Sequence, residues 1–381
     1  MIAKSDLSEI KRTFTIANTP FDHVEFYFTN EQGDIVSSGK HLFRNLEESM
    51  QHKFMAIAKK VLSGNLGNDV VEIDVNAFGE VNNQANLLRL RDSLGENGQP
   101  LVVESFVKNM MPLVGYYGNA ITLFFKGGYD IPDKTTDKME VGESVEFLDF
   151  FICAVCPVEP DKPGLSVGGD PVDITLHQTE LRIKAPEIGF MFPAFSERST
   201  DVNVAAFYAK DTKDPHEELT TELFGSVRTS TIDEQKDAFT AIVEEALGEE
   251  TDVKFVRAIQ EAANEVLADD PDETVYSDEP KVLKKEHVRE IFETAGVAPE
   301  IVAKAESCFE EYTENNEKAP IITKNVVEPE KFDLKSTGLH VNISGSQAHH
   351  AKVQIVDGVK SLVIPLQAGE RAFVNGVRTD L

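Results

Sequence analysis

The sequence predicts an α+β chain. It reads as an N-terminal mixed sheet with helices, then an acidic helical middle segment, then a small C-terminal β module. Three observations predict it. Between residues 119 and 210, strand patterns follow one another without intervening helices, as in a layer rich in antiparallel pairing. Residues 214–318 repeat apolar positions at helical spacing. The tail, about 332–381, returns to alternation and carries two Asx-Gly turn signals. The segments are therefore drawn at 1–213, 214–318 and 319–381, the last holding a linker and the hairpin module. At roughly 100–200 residues per domain, a chain of 381 residues is expected to hold two or three.

The elements follow in order. Leu7, Ile10 and Phe14 give a short amphipathic helix, with Ser5 or Asp6 as its cap. Val24, Phe26 and Phe28 alternate with polar residues, as on a half-buried strand. Asn30–Asp34 is a turn, and Ile35-Val36 begin the return strand. Leu46, Met50, Phe54, Ile57 and Val61 form a helical stripe that Gly64 stops. Residues 70–75 read as a strand, followed by helices over 83–94 and 100–114. Strands are expected at 119–126, 147–156, 180–184, 188–195 and 202–210.

The middle segment opens with a short helix holding Leu219 and Leu223. Phe239, Ile242, Val243 and Leu247 form the next stripe, closed by Gly248. Val253, Val256, Ile259, Ala263, Val266 and Leu267 form a third. Asp269–Glu273 is a linker signal, and two helices follow at 284–295 and 299–313, with Pro299 in a first turn. In the tail, Leu339, Val341 and Ile343 alternate, and turns at Asp357-Gly358 and Asn375-Gly376 predict a small β meander.

Charge sharpens this division. The net charge is −29, but residues 214–318 hold 29 acidic and 10 basic side chains, net −19, while 319–381 are net +1. Direct binding to nucleic acid is not expected, because that affinity comes largely from Lys and Arg on phosphates. An anionic membrane surface is disfavoured for the same reason. The bland reading of the acidity is a solvated bundle surface. The functional one is electrostatic steering of a basic protein partner. No apolar h-region opens the sequence, and no apolar run approaches the roughly 18 residues of a membrane span. Three cysteines make no disulfide framework, so a reduced, cytoplasmic protein is expected.

Cys153-Ala154-Val155-Cys156 is a CxxC that ends an apolar strand and runs into a proline-rich stretch, not into a helix that would activate a thiolate. A closed zinc site usually needs two further ligands, and Cys308 and His177 do not stand at ligand spacing. The cysteines are read as structural, with a metal or redox role as the alternative; no cofactor or metal is expected. The most distinctive stretch is 190–203, where an aromatic strand meets a dense polar turn. One reading is a hairpin loop whose side chains bond their own backbone, with Arg198 paired to Glu197 or Asp201. The other is a recognition loop of Glu197, Arg198, Ser199, Thr200 and Asp201, with Arg198 clamping a carboxylate or phosphate. Gly127-Gly128 and Val167–Asp170 are glycine-rich but fit no phosphate-binding pattern. His349-His350 reads as solvent-exposed. No nucleophile elbow or HExxH is present in the sequence.

Five blocks carry a resemblance: CPVEPDKPGLS (156–166), APEIGFMFPAFSERSTDVNVAAFYAKD (185–211), HEELTTELFG (216–225), VDGVKSLVI (356–364) and VNGV (374–377). They resemble the signature blocks of a bacterial family known as a domain of unknown function, numbered 4317. The resemblance runs nearly end to end and is loosest in the first hundred residues. It implies a bacterial cytoplasmic protein and supplies no catalytic or binding residues. The resemblance implies a loop more like FPAFDDRST, so Ser196-Glu197 would be a departure from an Asp pair, while Arg198, Ser199 and Thr200 match.

The expected function is a non-enzymatic interaction or regulatory protein with an acidic partner-binding surface. The alternative is a hydrolase-like enzyme acting on an anionic small molecule. It would use the 195–203 loop, with Arg198 as clamp and Glu197 or Asp201 as general base.

Overall fold

The computed structural model describes residues 2–78, 81–115, 118–134, 140–161, 164–168, 173–177, 180–248, 251–267, 281–316, 320–327, 331–344, 350–365, 371–374 and 377–380. At 133–134, 140–145, 164–168, 173–177, 331, 336, 344, 352, 360, 371–374 and 377–380 it describes the backbone. The chain forms two compact units, Met1–Thr231 and Ile232–Leu381.

The first unit runs α1 (Lys4–Thr13), β1 (Phe21–Thr29), β2 (Ile35–Leu42), α2 (Glu48–Val61), β3 (Val70–Asp74), α3 (Asn83–Ser93), α4 (Pro100–Met110), β4 (Ala120–Lys134) and β5 (Glu140–Pro160). It continues with β6 (Gly164–Gly168), β7 (Asp173–His177), β8 (Leu181–Ile183), β9 (Ile188–Phe192), β10 (Ala194–Ser196), β11 (Ser199–Asp201), β12 (Val204–Ala209) and α5 (Glu217–Phe224). One sheet has the order β2-β1-β4-β5-β9-β12-β3, with β8 joined to β5. The α+β class is as the sequence predicts. Every ladder of the sheet is antiparallel among the described residues.

Helices cover both faces of this sheet. Leu7 and Ile10 of α1 and Met55, Ala58 and Val61 of α2 pack on one face with Phe150, Ile152 and Cys156. Leu87, Leu90, Val103, Val107 and Met110, from α3 and α4, pack on the other with Phe151, Cys153 and Val155. A strand stretch covered on both sides has no polar face, which is why residues 150–156 of β5 read as an unbroken apolar run. Edge strand β2 is mostly exposed, and its sequence is correspondingly polar.

Three local expectations are corrected. The cap of α1 is Ala3, and Asp6 sits three residues inside, where its carboxylate accepts the Ala3 N–H at 2.9 Å. The α2 stripe is rotated: Gln51, Met55, Ala58 and Val61 are buried, and Met50 is exposed. Leu46, Phe54 and Ile57 are partly buried against the same core, and Val61 belongs to both stripes. Gly189 of β9 leaves room for Val61, since a Cβ there would lie 2.7 Å from both a Val61 methyl and the Cys153 carbonyl oxygen. Third, α5 packs with the sheet. Its Leu219, Leu223 and Phe224 lie in the same core as α3 and α4. The Asn83 side chain donates to the Glu222 carbonyl at 2.8 Å.

The second unit holds α6 (Ile232–Leu247), α7 (Val253–Val266), α8 (Lys285–Thr294), α9 (Pro299–Asn315) and α10 (Thr323–Val326). Their core includes Phe239, Ile242, Ile259, Val288, Phe292, Ile301, Ala305 and Phe309. The linker Asp269–Glu273 lies outside the described residues. Then come β13 (Lys331–Ser336), β14 (Leu339–Ser344), β15 (Lys352–Val356), β16 (Val359–Val363), β17 (Arg371–Val374) and β18 (Val377–Asp380). Among the described residues these form three separate hairpins rather than a meander. Asp357 and Gly358 both take positive φ, +51° and +79°, the mirror-image turn that matches strand twist. Asn375-Gly376 lies outside the described residues, although Val374 and Val377 beside it pair. The Arg257 side chain of α7 donates to the Ala351 carbonyl and lies over the Phe332 ring. Among the described residues, no helix is long and apolar enough to cross a membrane.

Candidate functional site

The distinctive 190–203 stretch folds as a small hairpin of its own. β10 pairs with β11, with Ser196 opposite Ser199, so the turn is just Glu197-Arg198. Both turn residues have positive φ, +51° and +57°. That mirror-image turn is normally filled by Asn and Gly, and non-glycine residues in this region cost on the order of 1–2 kcal/mol each. Phe195 and Ser196 are buried, and the Phe195 ring meets Tyr129 edge-on. The hairpin is thus anchored at its base and strained at its tip.

Its polar groups are held by distant partners. The Arg198 guanidinium contacts the Glu9 carboxylate of α1 at 3.1 and 3.3 Å and donates to the Pro132 carbonyl at 2.7 Å. Tyr129 donates its hydroxyl to the same Glu9 carboxylate at 3.0 Å. The Glu197 N–H donates to buried Asp6 at 3.1 Å, the carboxylate that also accepts the Ala3 N–H. The Ser199 hydroxyl and the Thr200 N–H donate to Glu146 at 2.9 and 3.1 Å. Donors from Thr200 and Ser199 hold the Glu146 carboxyl below its usual range. Asp201 alone bonds locally, accepting the Asn203 N–H at 2.9 Å.

The five residues singled out from the sequence, Glu197 to Asp201, are therefore together on one hairpin, as chain continuity requires. Arg198 pairs with Glu9 rather than with Glu197 or Asp201. Sequence reasoning missed Asp6, Glu9, Tyr129 and Glu146. Each reaches the hairpin from far along the chain, so no local spacing signals it.

The CxxC is placed unambiguously. Residues three apart on a strand face opposite sides of the sheet. Accordingly, Cys156 packs in the α1/α2 core and Cys153 in the α3/α4 core. The two sulfurs cannot ligate one ion or form a disulfide from these positions. Burial pushes the Cys153 thiol well up, and pushes Cys156 up to about 12. Gly127 and Gly128 allow close approach: a Cβ at Gly127 would lie 2.6 Å from the Pro20 carbonyl oxygen. Gly168 ends β6, while Gly169, Asp170 and His349 lie outside the described residues. His350 is exposed, as expected.

No curated protein and no solved structure matches the chain. A family model described as a domain of unknown function, DUF4317, matches residues 2–377. Match and blocks agree over nearly the whole length, and the chain belongs to the DUF4317 family.

Proposed function

We propose that this protein is a non-enzymatic interaction or regulatory protein of the cytoplasm, whose acidic helical segment binds a basic protein partner. One observation carries the reading. On α8, Glu286, Glu290 and Glu293 recur four and three residues apart, so they share one stripe of the helix. All three are exposed, and none has an ion-pair partner among the described residues. The cations of α8 are turned elsewhere: Lys285 pairs with Glu310 at 2.6 Å and Arg289 with Glu306 at 2.5 Å, both on α9. The stripe is left as uncompensated negative charge, which raises association rates with a basic surface and fades beyond about 10 Å at 0.1 M salt. The test is co-purification on the tagged full chain at low and high salt. A basic protein retained at low salt, released at high salt and lost with Glu286→Gln/Glu290→Gln/Glu293→Gln supports the reading. If nothing specific is retained at low salt, the reading fails.

A second reading has one observation of its own. Two adjacent non-glycine residues in left-handed backbone, Glu197 and Arg198, are the kind of strain that gathers at functional sites. A hydrolase-like enzyme on an anionic small molecule would use Arg198, Ser199 and Thr200 to hold the anion and Glu197 or Asp201 as base. Its ligand must compete with Glu9 for Arg198. An anion library that shifts the melting of the native chain but not of Arg198→Ala supports it, and no shift with any anion removes it.

A further inference from the structure

The first unit carries a second charged site, away from the hairpin. A cleft of about 560 Å³ lies between residues of β1, β2 and β4 and the connection from α3 to α4. Its walls include Asp22, His23, Arg44, Glu96 and Lys126. That volume lies in the ordinary range of small-molecule sites.

The cleft is rigidly built. The Glu25 carboxylate, buried on β1, accepts the Gly95 N–H at 2.8 Å, and Lys40 of β2 donates to the Gly95 carbonyl at 2.7 Å. The loop that forms one wall is thereby tied to two strands. Lys126 bonds Asp149, which Arg91 also meets at 3.4 Å, and Arg91 pairs with Asp92 at 2.8 Å. Two cations and two carboxylates make this network electrically balanced.

What remains is unbalanced locally and of both signs. The side chains of Arg44, Asp22 and Glu96 are exposed and have no ion-pair or hydrogen-bond partner among the described residues, although Lys40 also reaches the Glu96 carbonyl at 3.4 Å. His23 is only 9% exposed and lines the cleft; its side chain, near the Glu25 carboxylate, makes no hydrogen bond among the described residues. Its ring nitrogens are not among the buried, unpartnered atoms of the described residues, so they keep access to the cleft and can bond what enters it. A simple anion would meet Asp22 and Glu96, and a simple cation would meet Arg44. A ligand carrying both charges satisfies all of them.

The geometry points to this cleft as a binding site for a small zwitterion, an amino acid or short peptide. Its carboxylate lies on the Arg44 guanidinium, its ammonium on Asp22 and Glu96, and a polar group meets His23. The carboxylate–guanidinium fork supplies orientation as well as affinity. This site is independent of the α8 carboxylates, so either proposal can fail alone.

The test is calorimetry on the full chain with the common amino acids and Gly-Xaa dipeptides at millimolar concentration. Each binder is repeated as its N-acetyl derivative, which lacks the ammonium, and as its methyl ester, which lacks the carboxylate. Saturable binding of a zwitterion is expected, with both blocked forms at least about tenfold weaker. Arg44→Ala and Asp22→Asn should each lose about tenfold, with unchanged melting of the unliganded chain because both residues are exposed. The proposal is overturned if no zwitterion binds, if the blocked forms bind as tightly, or if Arg44→Ala retains full affinity. The blocked-ligand comparison uses the native chain, so it decides the matter even should a variant fold poorly.

Discussion

Replacing Arg198 with alanine should destabilise the first unit by about 2 kcal/mol, a figure set between two limits. An exposed ion pair contributes about 0–1 kcal/mol, whereas removing one member of a fully buried pair costs about 3–5 kcal/mol. The Arg198 and Glu9 side chains are 29% and 16% exposed, so the pair stands between these cases and is only partly screened. The Pro132 carbonyl also loses its donor. Glu9→Gln should cost less, because the amide still accepts the Tyr129 hydroxyl. A double-mutant cycle should give a coupling of about 1 kcal/mol. Arg198→Lys should recover less than half of the loss, since a point charge cannot reproduce the fork. Urea denaturation followed by far-ultraviolet circular dichroism supplies the free energies. A coupling below about 0.3 kcal/mol would refute the reasoning. Arg198 would then be energetically independent of Glu9, and a ligand would compete with its remaining partners, the Pro132 carbonyl among them.

Three further outcomes follow from the packing. Gly189→Ala should cost about 1–3 kcal/mol in the same assay, because its new methyl meets Val61 of α2 and the Cys153 carbonyl of β5, so helix and sheet must shift apart. Native thiol titration should label Cys308 well before the buried pair, whose pKa values are raised by burial; prompt reaction of Cys153 would contradict the fold. Burial lowers the His216 pKa, so the neutral ring is favoured in the folded state. Its stability contribution is present above the unfolded value of about 6.5 and is lost as pH falls through the folded value. His216→Gln should flatten that part of the stability–pH curve, and an unchanged slope would argue against it.

Much was legible in the sequence because its signals are local. The Asp357-Gly358 turn needs two positive φ values, and the residues that tolerate them stand there. The stripes of α6 to α9 record which side is buried, because each helix has one apolar face. The acidic excess of residues 214–318 is a property of composition and needs no fold to be seen. The family blocks are likewise patterns along the chain.

Tertiary structure decided the rest. The apolar run of β5 could not say which face each side chain takes; covering helices on both sides assigned Cys153 and Cys156 to different cores and so dissolved the CxxC as a joint site. The partner of Arg198 lies 189 positions away on α1, so its role followed only from packing. The charged cleft likewise joins His23, Arg44 and Glu96 from separate elements. Local propensity and turn chemistry act over a few residues and are written along the chain. Ion pairs, buried faces and clefts join groups whose closeness is created only when the sheet and its helices come together.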